Sequence, residues 1–320
     1  MKVAFLFPGQ GSQKAGMGAD LAREFPAARR VFEEADEALG MGLSRLCFEG
    51  PEEDLRLTAN TQPATLATSI AALRAFESEC SITPALAAGH SLGEYSALVA
   101  AGAITLADAL RAVRERGRLM QEACPPGHGA MAALIGLEPA VVQELCAQAS
   151  TGGEIAVAAN LNAPGQIVIS GNSGAVRRAL EAAKRSGAGA SVELKVSAPF
   201  HCPLMQPARE GMATVLDRLV ISPLKFGVIA NVTAEINRDP ARVKPLLLEQ
   251  ITGSVRWEES MAELAAAGIT ETIELGAGRT LAGLMRRINR NVKVRGAEDA
   301  ASVRATIKAL ATPPSGPITQ

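Results

Sequence analysis

Aromatic residues are scarce in this chain: one Trp, one Tyr and eight Phe among 320 residues. A platform that stacks bases needs several rings, so the scarcity argues against nucleic-acid binding. Net charge is -1, which removes the electrostatic case for nucleic acid or an anionic membrane. No apolar run approaches the length of a membrane span. The opening Met1-Lys2-Val3-Ala4-Phe5-Leu6-Phe7-Pro8 is too short, and too soon broken by proline, to act as a secretion signal. Cysteine is sparse and odd in number: Cys47, Cys80, Cys124, Cys146 and Cys202 are scattered without metal-ligand spacing. No metal is expected, and the thiols read as the reduced cysteines of a cytoplasmic protein. Cys202 stands beside His201, but adjacent residues on an extended segment point to opposite sides, which argues against a thiol nucleophile there.

What is present is an ordinary globular composition, 48% hydrophobic and 20% charged, with enough chain for one large domain or two moderate ones. Its most informative stretch is Ala88-Gly89-His90-Ser91-Leu92-Gly93-Glu94. A short apolar run, Pro84–Ala88, precedes it, and a helix-forming segment, Glu94–Ala101, follows. Gly89 to Gly93 fits Gly-x-Ser-x-Gly, the sharp strand-to-helix turn that exposes a serine at its apex. The flanking glycines are there because side chains would crowd the turn. The turn also aims the first amides of the helix at one point, where they can stabilise an oxyanion. A plain glycine-rich βα loop is the alternative; the strand before and the helix after favour Ser91 as a nucleophile.

The first part of the chain reads as α/β. Val3–Phe7 is an apolar strand that enters the loop Pro8-Gly9-Gln10-Gly11-Ser12-Gln13. Helical patterns follow over Asp20–Leu39 and Pro63–Ser78. After the elbow, a helix runs from Leu106 to about Cys124, with Thr105 as its cap and Asp108 completing a capping-box pattern. Pro125-Pro126-Gly127-His128-Gly129 breaks the chain. Beyond it, strands at Ala130–Leu137, Ile155–Leu161, Gln166–Ser170 and Ala190–Val196 alternate with helices at Glu138–Ala149 and Ala175–Ser186. That order is βαββαβ, the ferredoxin-like unit. Past Pro199 the α/β pattern returns, with strands at Phe226–Ala230 and Thr272–Leu275, a helix at Thr280–Arg290 and an edge strand at Val292–Val294. The expected organisation is a large α/β domain of residues 1–126 and 203–311, a small lobe of residues 127–202 inserted in it, and a disordered tail of residues 312–320.

A serine nucleophile needs a base, and the chain offers three histidines. His90 precedes Ser91 on the elbow, so its ring points away from the hydroxyl. His128 lies in the Pro/Gly break, where a solvated side chain is the default. By elimination His201, at the junction where the small lobe rejoins the large one, is the candidate base; a hydrogen-bonded interdomain histidine is the alternative. Arg116 is the second candidate. At about 100° per residue, Arg111, Arg114 and Arg118 share an outer face of their helix, while Arg116 falls among Ala109, Ala112, Val113, Leu119 and Met120. A guanidinium so placed needs an anion, either an internal carboxylate or a substrate carboxylate held by two parallel hydrogen bonds. In a parallel sheet the loop after the first strand meets the elbow, so the Gln10 amide can complete an oxyanion hole with that of Leu92. That loop lacks the Gly-Lys-Ser/Thr ending of a phosphate loop. Gly276-Ala277-Gly278 has Leu281 where a dinucleotide fingerprint needs its third glycine, so a tight βα turn explains it.

Taken together, Phe7–Gln13, Gly89–Tyr95, Arg116–Met120, Asn162–Gln166 and Ser197–His201 resemble, in that order, the malonyl-CoA:acyl carrier protein transacylase family over roughly residues 1 to 310. The resemblance implies a hydrolase-like parallel sheet domain with an inserted ferredoxin-like (βαββαβ) small subdomain. It implies that Ser91 accepts the acyl group, that His201 is its base, and that Gln10 and Leu92 supply oxyanion amides. Arg116 would hold the malonyl carboxylate, and Gln250 would help fix the imidazole. Phe200 resembles the residue of malonyl-selective members, while Pro199 departs from the family pattern. No cofactor is implied: the substrates are malonyl-CoA and a phosphopantetheinylated acyl carrier protein, and the enzyme is expected to be a cytoplasmic monomer. Carrier proteins are acidic, so Arg286, Arg287 and Arg290 could meet one, and a solvated helix face explains them equally well. Two other functions are compatible with these residues. One is an acyl-carrier-protein thioesterase, against which Arg116 argues; the other is a non-catalytic carrier-protein docking module, against which Ser91 and His201 argue.

Overall fold

The structure, a computed structural model, describes residues 2–194, 196 and 198–311. The expected tail, 312–320, lies outside them. The chain opens with β1 (Val3–Phe7), α1 (Ala19–Glu24), α2 (Pro26–Leu39), α3 (Leu43–Glu49), α4 (Glu52–Leu55), α5 (Thr58–Glu79), β2 (Leu86–Gly89), α6 (Gly93–Ala100) and α7 (Leu106–Glu122). Next come β3 (Gly129–Ile135), α8 (Pro139–Ala149), β4 (Ala156–Ala163), β5 (Gln166–Asn172), α9 (Ser173–Arg185) and β6 (Ala190–Glu193). The last part holds α10 (Gln206–Asp217), β7 (Gly227–Ile229), β8 (Ile236–Asn237), α11 (Pro240–Thr252), α12 (Trp257–Ala266), β9 (Glu271–Leu275), α13 (Thr280–Ile288), β10 (Lys293–Ala297) and α14 (Ala300–Ala311).

Two sheets result. The larger has the order β10-β9-β1-β2-β7-β8 and is parallel apart from the short β7–β8 pair. Central β1 is buried on both faces, as a parallel strand between two helical layers must be. Val3, Phe5 and Phe7 pack with α2, α5 and α7, while Ala4 and Leu6 pack with α12 and α13. The register sets Phe7 opposite Gly89, so the loop after β1 and the turn after β2 leave the sheet side by side. The smaller sheet, β4-β5-β3-β6, is antiparallel, carries α8 and α9 on one face, and is the ferredoxin-like unit. It is tied back to the larger part where Leu161 N donates to Val255 O (2.9 Å) and Val255 N to Ala159 O (2.8 Å).

Some boundaries differ from expectation for local reasons. The pattern over Asp20–Leu39 is two helices, because Phe25 is extended and Pro26 starts α2 at its first position, where proline is favoured. Conversely, Pro63 does not begin a helix but lies inside α5, which starts at Thr58. The last strand is longer than expected, Lys293–Ala297, and does form the sheet edge. At Thr105 the cap is as read: its hydroxyl accepts from Asp108 N (3.1 Å) and donates to the Asp108 carboxylate (2.8 Å).

Candidate active site

The strand–turn–helix at Ser91 is enforced sterically. A Cβ on Gly89 would lie 1.9 Å from the Gly93 carbonyl, and one on Gly93 would lie 2.2 Å from Phe7 O. Both positions therefore require glycine. Ser91 itself is held at φ 51, in the left-handed region that side chains avoid. Asn231, from the loop after β7, pins it there. Its Oδ1 accepts from Ser91 N (2.7 Å) and its Nδ2 donates to Gly89 O (2.7 Å). The elbow's other amides are used in the turn: His90 N donates to Phe7 O, Gly93 N to His90 O and Glu94 N to Ser91 O. Among the described residues, the Leu92 amide has no acceptor, and neither has that of Gln10. Both residues line the cavity above Ser91.

His201 also has a positive φ, 57, and is 3% exposed. Its Nε2 lies 2.7 Å from Ser91 Oγ, and its Nδ1 lies 2.8 Å from the main-chain oxygen of Gln250. A carbonyl can only accept, so Nδ1 carries the proton and the Nε2 lone pair faces the serine hydroxyl. Burial, with help from the nearby Arg116 charge, pushes the imidazole down to about 3. The ring is therefore neutral at rest, the state from which it can accept a proton. The two other histidines are elsewhere. His90 Nε2 meets Asn162 Oδ1 (2.8 Å) on the small lobe and its ring packs on Trp257, while His128 is exposed. Cys202 directs its thiol to Pro199 O (3.0 Å), with burial pushing its ionisation up. The Pro199 ring in turn fills the space at Gly129, where a Cβ would meet it at 2.3 Å.

Arg116, on α7, is 2% exposed. Its guanidinium donates to Gln62 Oε1 (2.8 Å), Gln250 Oε1 (2.9 Å) and Ser91 Oγ (3.2 Å), all neutral oxygens. The Tyr95 ring lies beneath it, 5.7 Å from centroid to guanidinium carbon. Its Nε is buried with no hydrogen-bond partner among the described residues. Burial pushes the ionisation of the guanidinium down, and Tyr95 and Glu94 act on it through space in the opposite direction. A cation buried among neutral acceptors is poised for an anion brought from outside.

These groups converge on a cavity of about 400 Å³ between the two sheets. Ser91, Leu92, Gln10, Gln62, Arg116 and His201 form its polar floor, and Met131, Val168, Leu194 and Phe200 of the small lobe and its junction form an apolar wall. Arg286, Arg287 and Arg290 lie outside it, on an exposed depression beside α13, and Arg287 reaches Gln166 Oε1 (2.7 Å) on the cavity rim. Asn162 belongs to the motif Asn162–Gln166, without a role there, and Gln62 and Asn231 carry no mark in the sequence. Gln62 lies between Thr61 and Pro63 near the head of a largely buried helix rich in Thr and Ser, where nothing separates it from its polar neighbours. Among the described residues no group of three or more His, Cys, Asp or Glu could hold a metal. Nor is any described helix long and apolar enough to cross a membrane.

A serine at a glycine elbow, bonded to a neutral histidine at the carboxyl ends of a parallel sheet, is the geometry of acyl-transfer enzymes. Comparison with known proteins narrows that class. The acyl transferase domain family matches residues 4–309. The chain is 48% identical over 309 residues to the malonyl CoA-acyl carrier protein transacylase of Bacillus subtilis, covering 97% of each. With that of Escherichia coli it is 44% identical, covering 90% of this chain and 93% of the other. The solved malonyl CoA-acyl carrier protein transacylase of Coxiella burnetii superposes with a TM-score of 0.95 at 40% identity, covering 97% and 98% of the two chains. A malonyl-transacylase solved in complex with its type II PKS acyl-carrier protein gives 0.94 at 42% identity, covering 97% and 100%. The chain belongs to the acyl transferase family, among the malonyl CoA-acyl carrier protein transacylases.

Proposed function

We propose that this chain transfers a malonyl group from malonyl-CoA to the phosphopantetheine thiol of an acyl carrier protein, through a malonyl ester on Ser91. The observation that carries the reading is one oxygen with two partners. Ser91 Oγ is 2.7 Å from His201 Nε2 and 3.2 Å from Arg116 Nη2, so nucleophile, base and carboxylate clamp share one point. Ser91 Oγ attacks the thioester carbonyl while His201 Nε2 takes its proton. The Gln10 and Leu92 amides receive the oxyanion. The C–S bond breaks, and the CoA sulfur leaves with the proton from His201. The carrier thiol then gives its proton to His201 and attacks the ester, and Ser91 Oγ departs and recovers the proton. The Arg116 fork holds the malonyl carboxylate in both halves, and the Phe200 wall limits the acyl group's bulk.

The same reading divides the chain into a catalytic domain of residues 1–126 and 203–311 and an inserted lobe of residues 127–202 that closes the cavity. It calls for no cofactor, since every step uses side chains and main-chain amides. It places the enzyme in the cytoplasm, as a monomer, where the CoA thioester and the carrier are found. Intact-protein mass spectrometry tests it. Malonyl-CoA should add one malonyl group, a carrier protein should remove it, and Ser91→Ala should abolish it. A full adduct on the alanine variant, or none on the native chain, refutes the covalent mechanism.

A further inference from the structure

One buried carboxylate lies directly beneath the site and takes no part in the chemistry above. Glu94 follows the second elbow glycine and is 3% exposed. Its Oε2 accepts from Gln250 Nε2 (2.7 Å) and from Asn231 N (3.1 Å). Both partners are braces. Asn231 holds the strained Ser91 amide. Gln250 holds His201 through its main-chain oxygen and Arg116 through its side-chain oxygen.

The Gln250 amide has one nitrogen and one oxygen, and which end faces Arg116 decides whether the clamp is gripped or repelled. Two acceptors fix the choice: Gln250 Nε2 donates one hydrogen to Ser91 O (2.9 Å) and the other to Glu94 Oε2. That leaves Oε1 toward Arg116 Nη2. Without the Glu94 acceptor, one amide hydrogen would be buried unpaired and the orientation would lose half its support. From this geometry we infer that Glu94 is a positioning residue for acyl selectivity: by orienting the Gln250 amide it aims the Arg116 guanidinium at the acyl carboxylate. The inference rests on the malonyl-transfer reading above.

The burial is costly. The carboxyl is pushed up to about 7 by desolvation, against the opposing Asn231 amide, the Gln250 amide and the Arg116 charge. A group kept in so unfavourable a place is held for its geometry as an acceptor. The role thus depends on reach more than on charge. Glu94→Gln keeps the reach, because its amide oxygen can stand where Oε2 stands, whereas Glu94→Asp keeps the charge and retracts the acceptor by one methylene.

The test compares the two variants on the intact protein, reading kcat and KM for malonyl-CoA and acetyl-CoA, with thermal melts alongside. Misplacing a catalytic group by about an ångström costs on the order of 10²-fold, so E94D should lose roughly 10- to 100-fold in malonyl transfer. Its malonyl-to-acetyl ratio should fall at least about fivefold, the size of a weakened charge-assisted contact. E94Q should stay within about fivefold of native with the ratio unreduced. In a Gln250→Ala background E94D should lower the malonyl-to-acetyl ratio no further, since the two act in series on it. The inference is overturned if E94Q is as damaging as E94D, or if E94D lowers both substrates equally in step with its melting temperature. A native chain that forms no malonyl adduct refutes the underlying transfer reading instead. A normal native adduct with an unaffected E94D refutes the Glu94 role alone.

Discussion

Gln250 Nε2 donates to the main-chain oxygen of Ser91 across 2.9 Å, while the main-chain oxygen of Gln250 holds His201 Nδ1 at 2.8 Å. One residue therefore fixes Ser91 relative to His201, with a main-chain oxygen standing behind the imidazole where a carboxylate could be. His201→Ala should lower acylation by about 10²-fold or more, the usual scale of general-base loss. His128→Ala, at an exposed position, should be close to neutral. Single-turnover formation of the malonyl adduct checks both, and equal losses would show that the base lies elsewhere.

The same burial that keeps His201 neutral makes the fold sensitive to acid. The imidazole is depressed from 6.5 to about 3 in the folded chain. Between those values the unfolded chain binds a proton that the folded one does not, so stability falls as pH drops through this window. The slope from this one group is at most about 1.4 kcal/mol per pH unit. Glu94 and Glu274, each pushed up to about 7, act with the opposite sign: the folded chain binds their protons more readily, so their contribution declines as pH rises from 4.5 to 7. Subtraction isolates the histidine. Denaturation curves at several pH values should show His201→Asn losing less stability than the native chain between pH 6.5 and 3. Parallel losses would mean that the ring is not held neutral.

The elbow was legible in the sequence because it is local: five residues, a strand before them and a helix after. The βαββαβ lobe was legible for the same reason, through alternation bounded by turns. The braces carry no local mark: Gln250 is reached only through the family resemblance, and Asn231 not at all. Asn231 meets Ser91 across 140 positions and Gln250 meets Glu94 across 156, and nothing local marks a polar residue as the partner of another so far away. Helices α3, α4, α10, α11, α12 and α14 are not read from the sequence either, and capping does not explain it: Asp239 caps α11, while α5 and α13, which are read, have no side-chain cap. Arg116 stood between. Its isolation on an apolar flank showed that it was buried, and only the folded chain shows its hydrogen bonds going to neutral oxygens.

The glycines give a stability test that separates enforced from optional positions. Gly89→Ala and Gly93→Ala place a methyl group within 2.2 Å of main-chain atoms. Each should cost more than about 4 kcal/mol, the range reached when backbone has to move. Gly283, inside α13, has nothing within 4 Å of an added Cβ. Gly283→Ala should stabilise by about 0.5–1 kcal/mol, because it removes freedom from the unfolded chain at no steric cost. Denaturation midpoints check all three, and a tolerated Gly89→Ala would mean that the elbow is looser than its contacts imply.

On the proposed reading, Arg116 decides which acyl group the site accepts. Its partners Gln62 and Gln250 hold one nitrogen each, which fixes the plane of the fork. Losing one half of a desolvated, charge-assisted pair costs on the order of 2–5 kcal/mol. That corresponds to roughly 30- to several-thousand-fold in malonyl transfer. Arg116→Ala should lose that activity and gain relative activity with acetyl-CoA, since no buried cation then awaits an anion. Arg116→Lys should recover only part of the loss, because an ammonium lacks the planar two-point fork. Gln62→Leu should act more mildly and in the same direction, freeing one side of the guanidinium. The measurement is the ratio of malonyl to acetyl transfer rates in native and variant chains, with folding followed by thermal melts. A ratio that stays constant while both rates fall would make Arg116 a structural residue and assign acyl choice to the Met131–Phe200 wall.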